Sequence, residues 1–117
     1  MSEQQDFATH IVDLLEPFGY CEARRMFGGY GIFHQELMFG LITRGSLYLE
    51  ADAESRADFV AEGSSAFSYL KKNRAYPLSC YLAPDGFFEG GLAGLRWARL
   101  AFDTALRNPA RQRKKNS

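Results

Sequence analysis

The amino-acid sequence predicts an α+β, two-layer domain in which an antiparallel sheet of five to six strands is backed by helices. Apolar side chains recur at helical spacing near both ends of the chain, and short apolar segments lie between them. Tight turns join consecutive segments, which favours antiparallel pairing. The predicted element order is α-β-β-β-β-α-β-β-α in one domain at residues 1–108, followed by a disordered basic tail at residues 109–117.

The first helix is predicted at residues 6–16, and Pro17 and Gly19 end it. Two strands are predicted next, at residues 21–27 and 30–33, on either side of a Gly28-Gly29 turn. The apolar side chains that recur at helical spacing in the first helix and its end are Phe7, Ile11, Leu14, Leu15 and Phe18.

Residues 37–43 form a continuous apolar run, which is typical of a strand covered on both faces. Arg44-Gly45 predicts a two-residue hairpin turn, and the alternating residues 46–50 predict the strand that follows. The carboxylate of Asp52 is then expected to cap a second helix at residues 53–62.

Strands are predicted at residues 67–70 and 76–82, and a turn at residues 84–86. The last helix is expected to end at Asn108-Pro109. Its predicted buried face consists of Leu92, Leu95, Ala98, Phe102 and Leu106.

Composition and charge exclude several classes of protein. The chain shows neither a signal peptide nor the run of about 20 apolar residues that a membrane span needs, so a cytoplasmic protein without membrane contact is expected. Cys21 and Cys80 are then expected to be reduced thiols without a disulfide between them. No pair of cysteines or histidines has metal-ligand spacing, and we expect no metal or cofactor.

The glycines in RRMFGGYGIF, residues 24–33, have two interpretations. Gly29 and Gly31 begin a G-x-G pattern, but position 34 is histidine and the following residues read as a strand, whereas a phosphate cradle requires a helix N-terminus. The favoured interpretation is structural: Gly28 and Gly29 supply a turn with positive φ, and Gly31 allows a close approach or a bulge.

The spacing of residues along the sequence indicates no catalytic group. His10 and His34 lie at no spacing that ties them to a nucleophile or an acid, so surface histidines are the simpler interpretation. Basic residues offer two candidate contacts with nucleic acid or a protein partner within the domain, Arg24 with Arg25 and a second cluster. The second cluster, which adjoins Tyr69 and Tyr76, consists of Lys71, Lys72 and Arg74.

Basic residues interleaved with aromatics hold phosphates while bases stack, yet a solvated loop around core aromatics gives the same pattern. Alternation along a strand sends Arg24 and Arg25 to opposite faces, so at most one of them joins any single patch. The basic tail is a further candidate for weak contact with DNA. It carries Arg111, Arg113, Lys114 and Lys115, with Arg107 just before it, whereas all 14 acidic side chains precede Arg107.

Helices are expected to cover one face of the sheet and to leave the other less covered. Tyr48, Tyr81 and one side of the 37–42 run are predicted to crowd that second face. An apolar patch of this kind marks an interface for a second copy or a partner protein.

Four segments carry a resemblance to a known family: RRMFGGYGIF, LMFGLITRGSLYLEAD, FSYLKKNRAYPLSCYLAPDGFFE and LRWARLAFDTAL. They resemble the N-terminal domain of the TfoX/Sxy family of bacterial competence regulators, from about Phe7 to Leu106. The resemblance implies an antiparallel sheet backed by helices and a regulatory role without enzymatic activity. Some full-length members act with the cyclic-AMP receptor protein, and the full-length regulators carry a second, helical domain. Because only about ten residues follow the last predicted helix here, this chain is expected to be a stand-alone N-terminal domain.

The expected function is therefore a cytoplasmic, non-enzymatic regulatory domain that acts mainly through protein contacts, with a transcription factor as a candidate partner and weak or indirect DNA contact. The alternative is a small-molecule or nucleic-acid binding domain that uses an aromatic and basic sheet face. An enzyme is the third and least supported interpretation, because no acid–base pair stands out.

Overall fold

A computed structural model describes residues 3–26, 28–67, 70–71, 74–75 and 79–108, with the backbone alone described at 70–71 and 74–75. The described elements are α1 (Glu3–Leu14), β1 (Glu22–Met26), β2 (Gly29–His34), β3 (Leu37–Thr43), β4 (Ser46–Glu50), α2 (Arg56–Ala61), β5 (Leu70–Lys71), β6 (Arg74–Ala75), β7 (Cys80–Leu82), α3 (Asp85–Phe88) and α4 (Gly91–Arg107). The predicted tail at 109–117 lies outside the described residues.

Five of these strands form one antiparallel sheet in the order β1-β2-β3-β4-β7, which confirms the predicted fold class. Alternation along the strands divides the side chains between two faces. One face, here called the helix face, packs against α1 and α4 and carries Ile32, Phe39 and Leu49. The opposite face is here called the second face. Beyond β7, Ala66 forms a single antiparallel bridge with Tyr81.

The hairpin of β3 and β4 has the predicted bounds. Arg44 and Gly45 both have positive φ, 54° and 77°, which matches the twist of the flanking strands in a two-residue turn. Thr43 pairs with Ser46 to close the hairpin. Between β2 and β3 the register shifts after Ile32, so Phe39 is an extra residue and both it and Leu37 contribute to the core on the helix face.

Several predicted bounds were wrong. The helix expected at 53–62 spans only Arg56–Ala61, because residues 53–55 form a turn whose Glu54 and Ser55 amides donate to the Asp52 carboxylate. The turn expected at 84–86 is instead the entry to α3, for which the extended Pro84 is the N-cap residue.

Two predicted strands are described only in part. Residues 68–69 and 76–78 lie outside the described residues, so the strands expected at 67–70 and 76–82 can be compared only at their ends. Leu70 belongs to the small β5–β6 sheet, and β7 covers residues 80–82.

The buried face of α4 differs from the predicted one at both ends. Leu92 is 86% exposed and Leu106 is 41% exposed. Gly94 lies in the contact between α4 and α3 instead. A Cβ at Gly94 would lie 2.9 Å from the carbonyl oxygen of Phe87 in α3, so a larger side chain does not fit there. The residues of α4 that are buried are Gly94, Trp97, Ala98, Ala101, Phe102, Thr104 and Ala105.

The core between the sheet and the helices is rich in aromatic contacts. Phe102 of α4 lies edge-on to Phe39 and to Phe18, with ring centroids 5.8 and 5.9 Å apart. His34 joins this group, 4.9 Å from Phe102. Edge-to-face ring pairs of this kind stabilise the packing of α4 on the sheet by more than their buried area alone would.

Candidate interaction surface on the edge of the sheet

Arg24 and Arg25 lie on opposite faces of β1, as alternation along the strand predicts. Arg24 pairs with Gly31, whereas Arg25 pairs with Tyr30. The row that contains Arg24 continues through Leu41 and belongs to the second face; the row that contains Arg25 belongs to the helix face. The two guanidinium groups therefore cannot serve one phosphate patch.

Arg24 is neutralised by its neighbours on the second face. Its guanidinium lies 2.8 Å from a carboxylate oxygen of Glu22 and 3.1 Å from one of Glu36, and it stacks over the ring of Phe33. The hydrogen bond from Arg24, followed by one from the Tyr20 hydroxyl, holds the pKa of Glu22 below its ordinary value. A phosphate would have to compete with two carboxylates, so Arg24 is a poor candidate for nucleic-acid contact.

Arg25 differs because its guanidinium is exposed and makes no ion pair or hydrogen bond with the described part of the chain. It lines a groove of about 400 Å³ between α1 and the first two strands. Asp13 of α1 lines the same groove, which therefore carries one charge of each sign. The remaining lining residues are Gln5, Ala8, Thr9, Val12, Ala23 and Tyr30.

The glycines of this hairpin have structural roles. Gly28 has a φ of +74°, as expected for the turn, whereas Gly29 does not have the positive φ that was also expected of it. Gly29 is required for its close packing instead. A Cβ at Gly29 would overlap the carbonyl oxygen of Ile42, and one at Gly31 would lie 2.5 and 2.7 Å from the sulfur atoms of Met26 and Met38. Close packing, rather than phosphate binding, explains both.

The other basic candidates lie wholly or partly outside the described residues. Lys71 pairs with Arg74 across the β5–β6 sheet, and their side chains and Lys72 lie outside the described residues. The tail residues Arg111, Arg113, Lys114 and Lys115 also lie outside them.

Arg107, the last residue of α4, was expected to add its charge to the basic tail, but it is paired with carboxylates of the domain. Its Nε lies 3.0 Å from Oδ2 of Asp52, and Glu54 lies 3.5 Å away. The hydrogen bond from Arg107 lowers the pKa of Asp52, and hydrogen bonds from Ser55 add to the effect. Thr104 donates to Ser55 at 3.1 Å, so this cluster ties the end of α4 to the turn before α2. No sequence signal revealed it, because its members lie about 50 residues apart.

Tyr48 and Tyr81 lie on opposite faces, which corrects the prediction that both crowd the second face. Tyr81 pairs with Leu49 and stacks on Phe59 with centroids 5.5 Å apart, within the helix layer. Tyr48 lies on the second face, 4.9 Å from the ring of Phe67. Met38 and Leu41 are 5% and 3% exposed, so the centre of that face is not the open apolar patch that we expected.

Neither the histidines nor the cysteines form a reactive centre within the described residues. His34 lies among aromatic rings, and its Nδ1 is 2.7 Å from the carbonyl oxygen of Tyr20, which accepts a hydrogen bond from it. Cys21 and Cys80 are buried thiols at opposite edges of the sheet, about 19 Å apart at the usual strand spacing, which is too far for a disulfide between them. The described part of the chain contains no group of three potential metal ligands and no helix with the length and hydropathy of a membrane span.

Comparison with known proteins gives one family. The family described as the TfoX N-terminal domain matches residues 13–105. The DNA transformation protein TfoX1 of Aliivibrio fischeri is 33% identical over 70 residues, which are 60% of this chain and 34% of that protein. Protein Sxy of Escherichia coli is 26% identical over 95 residues, which are 81% of this chain and 46% of that protein. The chain thus spans less than half the length of these two relatives.

Proposed function

Since this chain belongs to the TfoX N-terminal domain family, we propose that it is a non-enzymatic regulatory domain that controls genes for DNA uptake through contacts with a partner protein in the cytoplasm. The family match over residues 13–105 carries the proposal, because it includes the whole five-stranded sheet and most of α4. The name of the Aliivibrio relative supplies the link to DNA transformation.

Protein contact is favoured over direct DNA contact by the charges of the described residues. Arg24 and Arg107 are each held by two carboxylates, so neither offers a free cation to a phosphate. The sequence up to residue 106 also carries more acidic than basic side chains, which opposes approach to DNA. The partner we propose is a transcription factor that supplies the DNA-binding surface.

The test is a deletion of the gene in its source bacterium, with transformation frequency and transcript levels of DNA-uptake genes as readouts. We expect both to fall at least tenfold and to recover when the wild-type chain is supplied in trans. Unchanged transformation and transcript levels under competence-inducing conditions would contradict the proposal.

A second arm separates the protein-contact route from direct binding. The purified domain is titrated with promoter DNA at 50 and 200 mM salt, with and without the transcription factor that controls those promoters. We expect the transcription factor to bind the DNA by itself in a salt-sensitive manner, and the domain to shift that complex further without shifting the DNA alone. A shift by the domain alone would show that it binds DNA directly through its own residues.

Nucleic-acid binding by the β5–β6 hairpin is the second candidate, and the pairing of Lys71 with Arg74 favours it, because it brings two basic positions together. Two phosphates neutralised there would give a log-log salt slope of about −1.8. Replacing Lys71 and Arg74 by glutamine should abolish that slope if the hairpin is the contact, and should leave it unchanged if it is not.

A further inference from the structure

The outer edge of β1 has unpaired backbone groups in the described structure. Thr43 pairs with Ser46 next to the hairpin turn, and hydrogen-bonding pairs alternate from there across β3 and β2. By this alternation Arg24 bonds to Gly31 in β2, whereas the N–H and C=O groups of Ala23 and Arg25 point away from the sheet. No backbone group of the described residues pairs with them.

We propose that this edge binds the same edge of a second copy of the chain, in antiparallel register about a twofold axis at Ala23. The five-stranded sheets of the two copies then form one continuous ten-stranded sheet. This association is separate from the proposed function and does not rest on it.

The charges along β1 select this register among its neighbours. With Ala23 opposite Ala23 of the second copy, Glu22 lies opposite Arg24 twice, and unlike charges directly opposite stabilise a strand pair. A shift of two residues in one direction would place Arg24 opposite Arg24, and a shift in the other would place Glu22 opposite Glu22. Both alternatives put like charges face to face.

An exposed aromatic residue also finds a partner in this register. Tyr20, just before β1, is 76% exposed, and its hydroxyl donates to Glu22. The register places Tyr20 opposite Met26 of the second copy, at each end of the paired strands. The contact buries an aromatic ring that the single chain leaves in water.

On the helix face, the groove supplies the second set of complementary charges. Gln4 at the start of α1 lies beside Gly29, and Gly19 after α1 lies beside His34, so α1 runs antiparallel to β1. Asp13 therefore lines the end of the groove near Cys21, and Arg25 lines the other end. Arg25 of the second copy, opposite Cys21, enters the end of the groove that carries Asp13.

The paired segment is short, so the dimer should be weak. Five residues of strand extend about 17 Å. This contact buries less than the roughly 1,200 Å² of a standard stable interface. We expect a dissociation constant in the range from about ten micromolar to one millimolar.

The experiment is sedimentation velocity of the full chain from 10 μM to 1 mM, with wild type and two charge reversals, R25E and D13R. In each variant alone, both contacts between positions 13 and 25 become repulsive, and we expect dimerisation to weaken about tenfold. In an equimolar mixture, the glutamate introduced by R25E meets the arginine introduced by D13R, and the retained Arg25 meets the retained Asp13. We therefore expect the mixture to regain wild-type association. Recovery on mixing demonstrates a contact between copies and cannot come from a folding defect.

A backbone variant tests the strand pairing itself. A23P removes an N–H that points away from β2, so the β1–β2 ladder is retained while one bond to the second copy is lost. We expect a monomer with a wild-type circular dichroism spectrum. A wild-type monomer at 1 mM, no recovery on mixing R25E with D13R, or a dimer that Y48A abolishes and the charge reversals leave intact would each overturn the proposal.

Discussion

Substituting the three glycines of the first hairpin one at a time by alanine should separate three physical constraints. At Gly28 the constraint is the backbone, because φ is +74° and no atom of the described part of the chain lies within 4 Å of an added Cβ. At Gly31 the neighbours are the flexible ends of Met26 and Met38 and the ring edge of Phe33, whose Cε1 would lie 2.9 Å away. At Gly29 the neighbour is the carbonyl oxygen of Ile42, which belongs to the adjacent strand and cannot rotate away.

The expected losses in the free energy of unfolding follow from these contacts. The left-handed backbone of Gly28 costs an alanine about 1–2 kcal/mol. At Gly31, moving two methionine ends and the ring of Phe33 costs about 1–2 kcal/mol, and the lower chain entropy of alanine offsets roughly half of it. At Gly29, overpacking against a fixed backbone and loosening the bonds between Tyr30 and Ile42 should cost about 3 kcal/mol.

Urea denaturation followed by circular dichroism measures these values. With a slope of about 1.5 kcal/mol per molar urea, the Gly29 variant should unfold about 2 M earlier than wild type. Gly45 provides the matched control, because its φ of +77° and empty surroundings resemble those of Gly28. A Gly29 variant that loses less than Gly28, or a Gly31 variant that loses most, would refute the close-packing argument.

Three further predictions concern the rest of the chain. Arg107→Gln should lower the free energy of unfolding by less than about 1 kcal/mol at neutral pH, because the pair with Asp52 is partly exposed. The folded-state pKa of Asp52 is lowered, so this stability is present above the ordinary pKa of Asp52 and is lost as pH falls through the folded-state value. The urea midpoints of variant and wild type should therefore converge in acid. Burial raises the pKa of Cys21 to about 11, so its thiol should react slowly with a disulfide reagent at pH 8 in the folded protein, and its contribution to stability, full below about pH 9, should disappear as pH rises through 11. Phe102→Ala should lower the free energy of unfolding by about 3–5 kcal/mol, and Leu92→Ala should lower it by almost nothing, as measured by thermal or urea unfolding. The reverse order would show that Leu92 is buried, as the helical periodicity predicted.

The parts of the fold that sequence patterns predicted correctly are those set by local chemistry. The bounds of β3 and β4 follow from an apolar run, a two-residue turn and clean alternation, all of which act within a few residues. The face of α4 was wrong at Leu92 and Leu106 because periodicity counts large apolar side chains. Close helix approach instead selected small ones such as Gly94, a choice that depends on α3.

The candidate site was predictable only in part for the same reason. Opposite orientation of Arg24 and Arg25 follows from the pleat alone and was predicted. Glu36 reaches Arg24 across the sheet from 12 residues away, and Asp52 reaches Arg107 from 55 residues away. Such partners depend on tertiary packing, so the charges that neutralise these arginines could not be read from the sequence.

Adjacent arginines on one strand should therefore give different results when each is replaced by glutamine. Arg24→Gln removes two ion pairs and the stack on Phe33, and should lower the urea midpoint of unfolding by a small but measurable amount. Arg25→Gln removes no ion pair or hydrogen bond within the described chain and should leave stability nearly unchanged while weakening self-association. Each variant is measured by urea unfolding and by sedimentation, with the other as its control. If Arg25→Gln destabilises the monomer as much as Arg24→Gln does, Arg25 has an intramolecular role and the division of labour between the two faces of β1 is wrong.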